Sequence, residues 1–216
     1  MADIFQEIDE DVRRDQMAKY WQRYGKYVVA AAVVLALIAG GIAYWREQQE
    51  RKAAASGAQF ATALALVRDG KSAEAAQALA ALQSEAGPGY RALAGLRSAA
   101  VLAADKKPVE AIAAYDKIAA DGSVEPAFRD LARLLAALHA LDAAAAAEIE
   151  QRLQPVLGES NLWRHSAREL VAAAKLKAGD LAGARLAFQQ LADDATAPAG
   201  VRARAAELLA ALGPQG

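Results

Sequence analysis

The chain has 216 residues, 55% hydrophobic and 24% charged, which is enough for one membrane span and one domain of about 165 residues with its own core. A net charge of −1, with Lys and Arg matched by Asp and Glu beyond Trp45, leaves no basic field to attract nucleic acid. The absence of Cys removes disulfides and thiolate chemistry and is compatible with either redox compartment.

Residues 1–26 read as a short charged head. Ile4, Phe5, Ile8 and Val12 are spaced to share one helix face, with Glu7, Asp9, Glu10 and Asp11 elsewhere. That face suits a partner; the plainer alternative is a weakly ordered acidic head that only precedes a basic patch.

The charge-free run from Tyr27 to Trp45 follows, and at ~1.5 Å per residue it spans roughly 28 Å, close to the ~30 Å hydrocarbon thickness of a bilayer. Tyr20, Trp21, Tyr24 and Tyr27 precede or open it and Tyr44 and Trp45 close it, as expected of rings at the headgroup level. A buried helix of a soluble core seldom carries such girdles together with flanking charges like Lys26 and Arg46. A cleaved signal peptide is disfavoured because an acidic head comes first and the polar stretch Arg46 to Lys52 leads into Ala53-Ala54-Ala55. The expectation is an uncleaved anchor at 27–45 in the lipid bilayer. Arg13, Arg14, Lys19, Arg23 and Lys26 before the run outnumber Arg46, Arg51 and Lys52 after it, which puts the N-terminus in the cytoplasm and, in a bacterial cell, the body in the periplasm. Ala32, Ala36 and Gly40 form a small-xxx-small stripe that lets another membrane helix approach closely.

Residues 46–57 read as a stalk or linker and 58–216 as the body. There, apolar residues recur at three and four positions with almost no alternation, so the body is expected to be all-helical. Breaks are expected at Asp69-Gly70, Gly87-Pro88-Gly89, Asp105 to Pro108, Asp121-Gly122, Gly158, Gly179-Asp180 and Pro198. One signature recurs: Ala75 with Leu79, Ala111 with Tyr115 and Ala184 with Phe188, each an Ala followed four residues on by a larger apolar side chain. The spacing corresponds to a period near ~36 residues, with a blurred unit expected around Ala147. A small residue lets the two helices of a hairpin approach, and the bulky one fills the groove of the next. The pattern resembles the tetratricopeptide repeat and predicts an α-solenoid of roughly four hairpins, closed by a capping helix over Val201 to Leu212.

No catalytic, cofactor-binding or metal residues are expected. His139 and His165 lie in different helices without Cys or carboxylates at ligand spacing, and no phosphate loop or nucleophile motif is present. Trp163 suits a packing anchor, or else the mark of a peptide groove.

Taken whole, the head from Phe5 to Arg13, Trp21 to Tyr24, a single span and an Ala-rich repeat body resemble the YfgM-like family. That resemblance implies an ancillary subunit of the SecYEG translocon, anchored in the bacterial inner membrane, whose periplasmic tetratricopeptide-like domain works with chaperones of the PpiD type and with secretory chains. A membrane-tethered scaffold for envelope or division machinery would use the same architecture.

Overall fold

The structure is a computed structural model that describes residues 2–213, with side chains from residue 21 onward. The face expected of Ile4, Phe5, Ile8 and Val12 therefore lies outside the described side chains. Among the described residues every regular element is helical, and the chain divides into two units, Met1–Lys52 and Ala53–Gly216.

The first unit belongs to helix α1, Ala2–Arg68. An 18-residue window of α1 reaches a mean hydropathy of 2.3 with none of it buried within the chain. Such a stretch is long and apolar enough, by length and composition, to cross a membrane. At its ends, Arg23 and Lys26 lie over the rings of Tyr24 and Tyr27, at 5.8 and 5.2 Å from the centroids, and Arg51 pairs with Glu47 one turn away.

The second unit is a succession of helical hairpins. The end of α1 pairs with α2 (Ser72–Glu85); α3 (Pro88–Ala104) pairs with α4 (Pro108–Ala120), α5 (Pro126–Ala140) with α6 (Ala146–Leu153), and α7 (Arg164–Lys177) with α8 (Leu181–Asp193). Helix α9 (Ala199–Ala211) follows α8 and packs on it. Proline at the first helical position starts α3, α4 and α5, where its missing N–H costs nothing.

Three of the four hairpins turn in the same way. The N–H groups of Lys71, Lys107 and Asp180 bond back to the carbonyls of Leu66, Leu102 and Lys175, and those of Gly70, Lys106 and Gly179 to Val67, Ala103 and Leu176. This double closure is the Schellman arrangement, which needs a left-handed residue just past the helix end. Gly70 (φ 75°) and Gly179 (φ 80°) supply it without strain, whereas Lys106 (φ 60°) adopts it with a side chain.

In each second helix the residue four past the N-cap has no exposure: Ala75, Ala111, Ile149 and Ala184. Four further on stand Leu79, Tyr115, Leu153 and Phe188, all at most 1% exposed. The blurred third unit therefore centres on Ile149 rather than near Ala147, because the chain breaks at Leu141 to Ala145 inside what reads as an alanine-rich helix. The other breaks in the body fall where Gly, Pro and Asp mark them.

Side-chain hydrogen bonds repeat the period. Arg152 on α6 pairs with Asp116 on α4, the Trp163 indole donates to the Ala127 carbonyl, Lys177 donates to the Leu141 carbonyl, and Arg204 on α9 grips Glu169 on α7. Each joins residues 35 or 36 apart in sequence, so successive repeats are tied at equivalent places.

Candidate functional site

Ala75 with Leu79, Ala111 with Tyr115, and Ala184 with Phe188 lie in three different hairpins. All six are buried, five of them within the core clusters of their hairpins; they do not converge on one site. Burial pushes the Tyr115 phenol up, against a smaller opposing pull from Arg97, and the His139 ring stacks on Tyr115 with centroids 5.7 Å apart and planes 6° from parallel. Ala32, Ala36 and Gly40 are exposed along α1, and a side chain added at Gly40 would meet open space.

Trp163 anchors the stack. Its indole N–H donates to the Ala127 carbonyl at 3.1 Å and its ring packs with the cluster around Ile149, Leu153 and Val171. Among the described residues no group of three or more His, Asp or Glu side chains is placed to hold a metal ion.

His165 differs from its sequence reading in one respect. It is 5% exposed, and its Nδ1 lies 3.4 Å from a carboxylate oxygen of Asp194, a neighbour that helical spacing could not reveal. Asp194 closes the turn between α8 and α9 by accepting from the N–H (2.9 Å) and hydroxyl (2.6 Å) of Thr196. Those two hydrogen bonds, with smaller contributions from His165 and Arg168, hold its carboxyl below the usual carboxylate range. Asp121 makes the same turn with Ser123 between α4 and α5 and is lowered for the same reason.

A cleft of about 320 Å³ opens along the fourth hairpin. Arg168, Val171 and Lys175 line it from α7, spaced to fall on one helix face, Ala187 and Leu191 line it from α8, and Asp194 from the turn that follows. Leu157 closes one side, just past the 3-10 turn Gln154–Val156 that ends α6. Helix α6 has 8 residues where α2, α4 and α8 have 13 or 14, so the third hairpin's second helix stops short beside this cleft. Arg168 is held by Glu159 at 2.5 Å and by Asp194 at 3.8 Å, while Lys175, half-buried, has no anionic partner among the described residues. Sequence reasoning missed these residues: the only sign was a mixed stripe of apolar and basic positions on α7, which looks like any amphipathic helix.

The family described as tetratricopeptide repeat-like domain matches residues 18–208, a region that takes in the exposed apolar stretch of α1 as well as every hairpin. No curated protein and no solved structure matches the chain.

Proposed function

Because the chain belongs to the tetratricopeptide repeat-like family, we propose that it is a membrane-anchored protein-binding subunit, accessory to the bacterial translocon and of the YfgM-like kind. The observation that supports the reading is that one family match begins ahead of the apolar stretch and runs on through the repeats. The exposed run to Trp45, with aromatic rings at both ends, sits in the inner membrane. The excess of Lys and Arg before it puts the N-terminus in the cytoplasm and the repeats in the periplasm.

In this role the protein binds and does not catalyse. Ala32, Ala36 and Gly40 present a small-residue stripe to a translocon helix. Docking there raises the effective concentration of the repeats near emerging secretory chains and their chaperones, so weak binding suffices. A photo-crosslinker at Ala36 or Gly40 is expected to capture a translocon subunit, and one at Lys117 on α4 a periplasmic chaperone or secretory chain. Capture of division or cell-wall proteins alone at both places would replace this reading with an envelope scaffold.

A further inference from the structure

The two ends of the apolar run of α1 are charged differently. From Gln16 to Arg46 the sequence has no Asp or Glu, so the carboxylate nearest to Arg23 and Lys26 along the chain is Asp15, about 12 Å of helix away from Arg23. At the far end every arginine has a carboxylate one turn away: Glu50 follows Arg46 by four residues, and Glu47 holds Arg51 at 2.6 Å. Neither Arg23 nor Lys26 has an anionic partner among the described residues; each lies over the ring of the residue that follows it, Tyr24 and Tyr27. Trp21 completes this collar. Its indole lies against Gly25 one turn on, where an added Cβ would come within 3.3 Å of the ring, and Gly25 is buried in an otherwise exposed stretch.

Depth decides what these cations meet. The charge-free run begins at Tyr27, and a rise of ~1.5 Å per residue puts Lys26 ~1.5 Å and Arg23 ~6 Å outside it. The polar layer of a bilayer is roughly 5–7 Å deep on each side of its hydrocarbon core, so both side chains emerge at the level of the lipid phosphates. Three residues apart on a helix they are neighbours ~5–6 Å apart, close enough to converge on one phosphodiester. A zwitterionic headgroup brings its own ammonium, which the second cation repels, whereas an anionic one such as phosphatidylglycerol brings none and keeps both contacts. We propose that the collar of Trp21, Arg23 and Lys26 binds anionic phospholipid headgroups in preference to zwitterionic ones, and that the charge-balanced end after Trp45 does not discriminate between them. This rests on the membrane anchor proposed above and is independent of the translocon role.

The test reconstitutes the full-length chain into phosphatidylcholine vesicles carrying a trace of spin-labelled phosphatidylglycerol or spin-labelled phosphatidylcholine. Electron paramagnetic resonance then reads the fraction of each probe immobilised at the protein. The wild type is expected to favour the phosphatidylglycerol probe at least about twofold, less so in about 0.5 M sodium chloride, which screens exposed charges. Arg23→Gln with Lys26→Gln is expected to abolish the preference, Arg23→Lys with Lys26→Arg to keep it, and Arg46→Gln with Arg51→Gln to leave it unchanged. Equal immobilisation of the two probes by the wild type, a preference that survives Arg23→Gln with Lys26→Gln, or one that is lost with Arg46→Gln and Arg51→Gln overturns the proposal. Flotation of the same vesicles separates the two readings: a chain that floats with them but shows no preference removes the collar assignment alone, and a chain that does not float removes the anchor and the collar together.

Discussion

The indole N–H of Trp163, at the N-cap of α7, donates to the carbonyl of Ala127 in the first turn of α5, 36 residues earlier, at 3.1 Å. This bond fastens the first helices of two successive hairpins. Trp163→Phe keeps the ring in its cluster but removes this bond, while the Ala127 carbonyl keeps its partner within α5, so the expected cost is about 0.5–1.5 kcal/mol. Chemical denaturation of the purified chain followed by far-ultraviolet circular dichroism checks it; a loss below about 0.5 kcal/mol would mean the contact adds little.

At Ala111, fully buried where α4 meets α3 and α5, there is no room for growth. Ala111→Leu is expected to overpack the second hairpin by about 1–3 kcal/mol, against a change within about 0.5 for Lys117→Ala on the same helix. Equal melting shifts for the two variants would show that the repeat register is wrong.

Lys106 occupies the left-handed turn position that glycine fills at residues 70 and 179. Left-handed backbone costs an L residue about 1–2 kcal/mol, and glycine's extra freedom in the unfolded chain returns part of this, so Lys106→Gly is expected to gain roughly 0.5–1 kcal/mol. Gly179→Ala should lose stability by a similar amount. Thermal melts of the two variants should move in opposite directions.

Asp121 and Asp194 both hold carboxyls below their ordinary value of 3.8 because Ser123 and Thr196 donate to the charged form. A folded value below the unfolded one adds stability that is present above the ordinary value and is lost as pH falls through the depressed folded values. The chain should therefore lose melting temperature on acidification below about pH 4. Asp121→Asn with Asp194→Asn should flatten that acid limb, since neither amide titrates; an unchanged slope would assign the acid sensitivity to other groups.

The proposed topology has its own test. Protease added outside spheroplasts should digest the region after Arg46 and leave the N-terminal head protected. A protected body beside a digested periplasmic control would reverse the orientation.

Much of this protein is written in local sequence. The apolar run to Trp45 stands out because its composition alone sets its hydropathy, and most hairpin boundaries are legible because Gly, Pro and Asp impose turn geometry wherever they occur. The pairings Ala111–Tyr115 and Ala184–Phe188 could be read because four-residue spacing places side chains on one helix face before any tertiary contact forms. The break at Leu141 to Ala145 could not: five consecutive alanines carry no turn signal, and only packing of Ile149 and Leu153 against the neighbouring helices sets where α6 begins and ends. The same holds for His165 beside Asp194 and for Lys175 in its cleft. Those neighbours belong to separate helices or to the turn after one, and their distances depend on how the hairpins stack, which no local spacing encodes.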